Sequence, residues 1–426
     1  MEDLNEDVVT EILVRLPSAS VGRCRAVCKA WRGITSCPDF VAAYGRRRRP
    51  LQLIVEPCPR VSGGVLDTIP LAALLDDDDG KASSRRLYPG CPDRIRAHYW
   101  LMGYCDGLLL FERFCGPDTD HWICNPVTRQ WAAVPLRSTR LTTTTTTLTL
   151  LCAFYLHRPS GEHRLLFVAN DAAGLGMLPH DAASHYIRSL EAAETRWVGP
   201  ARSPLDIFTM GRSISDHLEY HGKLHWLRHP EVDQDQETAD DIVVAFDTVS
   251  ETFRQMSRPH PMLSLSSSHH RRRRYRNHLL LEMDGMLAMA AVLDDDMHLW
   301  VLQDYSDDKS WTCRHRIHQL PPTMLHACWA ILVPPPAVGR RRQNNNDDDD
   351  TRTSSVLILG DCTSHSVGIY DLTQRRLLKQ IHPSSVEANA SMFKDSLQQH
   401  AFFDRHRASI YPASTPQPIL QSAAAT

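Results

Sequence analysis

Apolar residues recur at helical spacing near the start of the chain, through Val8, Val9, Ile12, Leu13 and Leu16, and Pro17 ends the run. Ser18 or Ser20 can cap a second helix, with an apolar stripe of Val21, Cys24, Val27, Cys28 and Trp31. Pro38 suits the first turn of a short third helix that sets Phe40 and Tyr44 one turn apart. Three helices in about forty residues cannot bury this much apolar surface among themselves, so something else must cover them.

From residue 51 the pattern changes to short apolar runs punctuated by turn residues, and it repeats. One unit is a strand ending in Asn or Asp, a polar turn, and a second strand opening on a large apolar residue. It appears as Asn125 before Trp131, Asp247 before Phe253, Asp304 before Trp311 and Asp371 before Leu377, with a poorer copy at Glu191 before Trp197. The Asn or Asp side chain can cap the turn, and the apolar residue begins the return strand facing a core. A second unit opens on glycine and runs into a strand: Gly107-Leu108-Leu109, Gly222-Lys223-Leu224 and Gly285-Met286-Leu287. Two hairpins in succession make a four-stranded sheet, and the anchors recur about every 60 residues, which predicts a β-propeller of about six blades with residues 51–100 as the weakest. A β-sandwich, or two smaller β domains, is the competing architecture.

The helical stretch resembles the F-box, the motif that docks substrate receptors onto the Skp-type adaptor of SCF ubiquitin ligases. The residues that carry the resemblance are Leu4, Glu11-Ile12-Leu13, Arg15-Leu16-Pro17, Val27 to Arg32, and Pro38-Asp39-Phe40. The family usually opens on Leu-Pro, whereas Asn5 follows Leu4 here; Asn5 can still cap the helix, so weakened docking is expected rather than none. The resemblance implies adaptor contacts from Leu4, Val8, Ile12, Leu13, Leu16, Pro17, Val27, Cys28, Trp31 and Phe40. The plainer alternative is a helical hairpin that only packs on its own domain.

The repetitive region is similar to the F-box-associated domain of plant F-box proteins, a divergent kelch-like propeller. The similarity rests on Gly103 to Leu109, Cys124-Asn125-Pro126 through Trp131, Ala245 to Thr248, and Phe393-Lys394-Asp395-Ser396-Leu397. The expected organisation is therefore multidomain: a small all-α F-box at 1–44, a basic linker at 45–50, an all-β propeller at 51–400, and a closing strand or tail at 401–426.

Composition removes several function classes. A net charge of −3 gives no general pull toward nucleic acid or acidic membranes, and no apolar run is long enough to span a bilayer. The runs Arg46–Arg49, Arg271–Arg274, Asp76–Asp79 and Asp347–Asp350 lack the aromatics of a nucleic-acid motif or the spacing of a calcium loop, and read as solvated loops. No CxxC pair occurs among the 12 cysteines, and Cys24 and Cys28 read as small buried hydrophobes of a reduced intracellular chain. No signal peptide precedes the first helix, so cytoplasm or nucleus is the expected compartment.

Phosphate-binding, metalloprotease and hydrolase motifs are absent from the sequence. The 22 histidines are scattered, and His315 and His318 have no cysteine or carboxylate at ligand spacing, so no metal, cofactor or catalytic residue is expected. The reading is a substrate receptor of an SCF-type ubiquitin ligase, bound to a Skp-type adaptor and through it to a cullin, with the propeller recruiting an unidentified target. Loops holding His98-Tyr99-Trp100 and His217–Tyr220 are the candidate target contacts. An adaptor-independent scaffold, and a propeller enzyme or small-ligand sensor, stand as alternatives.

Overall fold

The computed structural model describes residues 5–46, 52–57, 66–70, 85–88, 98–115, 118–139, 147–171, 183–192, 194–201, 217–228, 242–259, 278–293, 296–318, 320–321, 324, 327, 329–333, 355–361, 366–381, 386–398 and 400–406. Four helices open the chain: α1 (Glu6–Arg15), α2 (Ser18–Cys24), α3 (Lys29–Ser36) and α4 (Pro38–Arg46). Asn5 caps α1, its side chain accepting from the Asp7 N–H at 3.1 Å, and Pro38 starts α4 as expected. Phe40 and Tyr44 stack one turn apart, with ring centroids 5.8 Å from each other.

The expected second helix is in fact two. Residues 25–27 form a turn, and Cys28 is extended, capping α3 through its sulfur rather than lying on a buried stripe. Polar contacts hold the break open. Arg32 Nε donates to the Arg25 carbonyl at 3.0 Å, and the Arg25 guanidinium donates to the Thr35 carbonyl at 2.7 Å, so each helix end gains a partner. Ser18 does not cap α2 from outside either; it is the first helical residue, and its hydroxyl is spent on Asp395.

The remaining strands form six four-stranded antiparallel sheets among the described residues. Blade 2 is β4 (His98–Cys105), β5 (Leu108–Cys115), β6 (Asp118–Asn125) and β7 (Gln130–Thr139). Blade 3 is β8 (Thr147–His157), β9 (Glu162–Asp171), β10 (Ala183–Ser189) and β11 (Thr195–Ala201). Blade 4 is β12 (Leu218–Tyr220), β13 (Lys223–Arg228), β14 (Ile242–Asp247) and β15 (Thr252–Ser257). Blade 5 is β16 (His278–Met283), β17 (Met286–Leu293), β18 (Asp296–Leu302) and β19 (Trp311–Ile317). Blade 6 is β20 (Trp329–Val333), β21 (Val356–Asp361), β22 (Ser366–Asp371) and β23 (Arg376–Ile381).

Blade 1 is composite. It takes three strands from the start of the repeat, β1 (Gln52–Pro57), β2 (Leu66–Pro70) and β3 (Arg85–Tyr88), and a fourth from the far end, β24 (Val386–Phe393), which pairs with β1. The closing strand thus precedes residue 400. Residues 401–406, expected to give a closing strand or tail, form a helix, α5 (Ala401–His406). Its Phe402 and Phe403 pack into the seam between blades 2 and 3, which favours an amphipathic turn over a strand. Residues 407–426 lie outside the described residues.

Six apolar clusters seal the six seams of the ring. A period of two sorts each inner strand between its neighbours: Leu108 and Leu110 face blade 3, while Leu109 and Phe111 share a cluster with Phe393 of blade 1. Likewise Val243 and Ala245 face blade 5, and Phe246 faces blade 3. This explains the unbroken apolar runs, since an inner strand of a radial sheet is buried on both faces. The last seam, between blades 6 and 1, contains Ile69 against Ile358, Val367 and Ile369.

The repeat units occupy the turns assigned to them. Asp106-Gly107, His221-Gly222 and Asp284-Gly285 join first to second strands with positive φ at both residues, the type I′ geometry that suits strand twist. Asn125, Asp247 and Asp371 start the third-to-fourth hairpin, and each Oδ1 accepts the N–H groups two and three residues on, at 2.8–3.1 Å. Trp131 and Trp311 are buried at the start of their return strands, and Phe253 is half-buried against Phe246. Trp197 departs from the rule and is 59% exposed.

Replacing Trp131 with alanine is expected to cost about 3–5 kcal/mol, and the same change at Trp197 less than about 1 kcal/mol, in urea unfolding of the whole chain. Equal losses at the two sites would refute the seam assignment. Acid should also weaken the fold. Burial pushes His225 down to about 4, and burial, aided by Arg258, pushes His278 down to about 3. Both rings stay neutral in the folded chain while the unfolded chain takes up protons below about pH 6.5, so stability is full above that value and falls as the pH drops toward 4. The urea midpoint should therefore decline over this window, and His225→Gln should flatten the decline.

Candidate functional site: the helical domain and its seat on the propeller

The helical domain has an inward and an outward apolar face. Inward, Val9, Leu13, Val21, Phe40 and Tyr44 form a cluster, and Tyr44 donates its hydroxyl to the Leu16 carbonyl at 2.9 Å. Outward, Val8 is 46% exposed, Ile12 51% and Val27 65%; these are half of the exposed large hydrophobic residues among the described residues. Val8 and Ile12, four apart, share one face of α1. Beside them the exposed Glu11 and Arg15 pair at 3.1 Å, a polar rim to the apolar strip.

The ten residues expected to meet an adaptor divide accordingly. Val8, Ile12, Pro17, Val27 and Cys28 are exposed, and Leu16 and Trp31 are half-buried against the inner cluster. Leu13 and Phe40 are buried inside the domain and present nothing to a partner; their periodicity marks the inner core, which a helical pattern cannot distinguish from a docking face. Leu4 lies outside the described residues. Cys24 is half-buried and Cys28 exposed, so the second does not act as the buried hydrophobe expected of it.

The inner face is completed by a residue from the other end of the chain. Leu397 is fully buried in the same cluster, which also takes in Val127 from the β6–β7 turn. Around Leu397 the segment 394–398 works as a strap. The Ser18 hydroxyl donates to Asp395, and the Arg25 guanidinium donates to the Leu397 carbonyl at 3.3 Å. From the propeller, Asn125 Nδ2 donates to the Ser396 and Gln398 carbonyls at 3.4 and 3.2 Å. Asn125 therefore caps its own turn with its oxygen and holds the strap with its nitrogen. Residues 393–397 stand out in the sequence only by resemblance, and their contact with α1, α2 and α4 leaves no periodic trace.

A cleft of about 600 Å³ lies along this seam, lined by Arg25, Pro38, Tyr104, Asp106, Lys394 and Gln398 among others. Burial lifts the Asp106 carboxyl above its usual range, with His163, Lys394 and Arg158 pulling it back. The candidate target contacts are mostly strand rather than loop. Residues 98–100 belong to β4 and 218–220 to β12, with Tyr220 buried. Sequence distance also hid a carboxylate from His318, whose Nδ1 lies 2.7 Å from Asp296.

With this geometry in view, comparison with protein families gives two matches: the F-box domain over residues 1–41 and the F-box associated beta propeller domain over residues 80–329. The chain belongs to the F-box-associated β-propeller family. Among its relatives are the Arabidopsis thaliana F-box protein At3g07870, 23% identical over 73% of this chain and 72% of that protein, and F-box protein At5g49610, 22% identical over 72% and 77%. The F-box/LRR-repeat/kelch-repeat protein At2g27520 from the same plant is 28% identical over 30% of this chain and 31% of its own. This is a plant-type F-box protein with a β-propeller, as the two resemblances implied.

Gly107 offers a direct probe of the strap. A Cβ there would lie 2.7 Å from the Ser396 backbone nitrogen, while at Gly285, in the equivalent turn of blade 5, it would meet nothing within 4 Å. Both glycines have positive φ, so alanine strains either turn by roughly 1–2 kcal/mol. Gly107→Ala should in addition expel the strap and speed amide exchange in α1 and α2, which Gly285→Ala should leave unchanged. Identical exchange in the two variants would show that the strap does not hold the F-box.

Proposed function

We propose that this F-box protein is the substrate-recognition subunit of an SCF-type ubiquitin ligase, its F-box docking on a Skp-type adaptor joined to a cullin and its propeller recruiting a target protein. The observation that carries this reading is the unpartnered pair Val8 and Ile12 on α1, with Val27 exposed in the turn after α2, while the inner face of the helical domain packs with Leu397 and Val127. Ubiquitin transfer belongs to other subunits; this chain contributes proximity, presenting a bound target to the conjugating enzyme. The seat on the propeller supports this role, because a held F-box fixes the distance between adaptor and target. The scaffold reading requires the helices to spend their apolar surface on the propeller, and Val8, Ile12 and Val27 remain unspent.

Val8→Asp together with Ile12→Asp tests the proposal. Both side chains are about half exposed, so the variant should keep the unfolding midpoint of the parent chain. Adaptor affinity should fall by at least about 30-fold, the scale of a lost interface anchor of roughly 2 kcal/mol or more. The measurement is calorimetric titration of the purified chain with a Skp-type adaptor. Unchanged affinity would overturn the docking reading.

A further inference from the structure

Three groups remote in sequence meet beside the strap. His163 is the second residue of β9, Glu191 sits in the turn between β10 and β11, and His400 immediately precedes α5. One ligand-type atom from each lies within 4.8 Å of the other two. His163 Nδ1 is 3.1 Å from Glu191 Oε1, while Glu191 Oε2 accepts the His163 backbone N–H at 2.9 Å. The carboxylate is therefore aimed by the backbone and has one oxygen to offer. The His163 and His400 rings lie edge to face, 4.7 Å between centroids at 85°. Phe154 and Phe402 flank His163 at 5.8 and 6.2 Å.

Ordinary packing does not account for this arrangement. His163 is 0% exposed and His400 6%, and Nε2 of each ring is buried without a hydrogen-bond partner. Buried polar atoms are nearly always satisfied, and leaving one unmet costs free energy. A His163 Nδ1 facing Glu191 Oε1 and an unpartnered His400 Nε2, brought together in one aromatic-walled site, call for a shared partner of positive charge.

We propose that His163, Glu191 and His400 form a binding site for a divalent transition-metal ion of the zinc type, which braces the C-terminal strap against blade 3. Two imidazoles and one carboxylate match the nitrogen and oxygen donors zinc takes, with water completing the shell. Calcium and magnesium prefer oxygen throughout. Bonds of about 2.0–2.1 Å set neighbouring tetrahedral donors roughly 3.3 Å apart. The His163–Glu191 separation of 3.1 Å meets that spacing already, and rotation of the His400 ring brings in the third donor. Since His400 follows the 394–398 strap by two residues, the ion acts next to the F-box seat. No spacing in the sequence announces this site, because each donor comes from a different hairpin or from the residue before α5.

The test uses the full chain purified with its adaptor, stripped by a mild chelator and titrated with Zn²⁺ against a chromophoric competitor. One equivalent should bind, and Co²⁺ in its place should give the intense visible bands of a tetrahedral site. His400→Gln and Glu191→Gln should each weaken this binding at least tenfold, as read by the competitor. Zinc should raise the thermal midpoint of the parent chain relative to chelator and fail to do so in His400→Gln. The chain carries other histidines, including the pair His269-His270, so binding that survives both substitutions would place the ion elsewhere and overturn the proposal. A stripped parent chain that takes up no stoichiometric ion would overturn it equally, whether or not the variants fold.

Discussion

The insertion of Leu397 among Val9, Leu13, Val21, Phe40 and Tyr44 is the contact on which the arrangement of this protein depends. A helical unit of about forty residues is too small to bury its own apolar surface. Leu397 and Val127 supply the missing wall, and they do so on the propeller's terms. Asn125 holds the strap from below, and Ser18 and Arg25 hold it from above. The F-box is thereby oriented as well as stabilised, since hydrogen bonds at several points along five residues leave little room for rotation.

The strap makes intelligible why so many roles converge on blade 2. Its Asn125 turn is one of three built alike, yet only there do the amide protons reach a segment from outside the sheet. Gly107 has the same dihedral habit as Gly222 and Gly285, but it alone of the three lies under a backbone that a methyl group would displace. A repeating fold has been specialised at one blade by changing what the turns touch, leaving their internal geometry alone.

The architecture was legible to the extent that it is periodic. The Asn or Asp anchors of four sheets and the glycine turns of three recur at fixed places, so counting them located the hairpins and the approximate number of blades. Blade 1 was faint because three of its strands come from the start of the repeat and the fourth from its far end. Helical periodicity located the F-box but could not see the break at 25–28, which rests on arginine contacts to carbonyls. Nor could it separate Leu13 and Phe40, turned inward, from Val8 and Ile12, turned outward. The aromatic stretches at 98–100 and 217–220 read as binding loops because aromatic residues serve interfaces and blade cores alike. The contacts of the strap and the His163–Glu191–His400 group were invisible for one shared reason: their partners are separated by hundreds of residues in some cases and follow no spacing rule.

The composite first blade has a consequence for the order of synthesis. A ribosome delivers the F-box helices first, yet their wall, Leu397, emerges only after β24 at Val386–Phe393 has been made. Until then blade 1 lacks its inner strand and the ring is open. A chain stopped short of residue 386 would carry an F-box able to meet an adaptor but neither seated nor attached to a closed propeller. Seating follows ring closure by four residues, so the same stretch that finishes the fold also certifies it: only a completed propeller can hold the F-box in its working orientation.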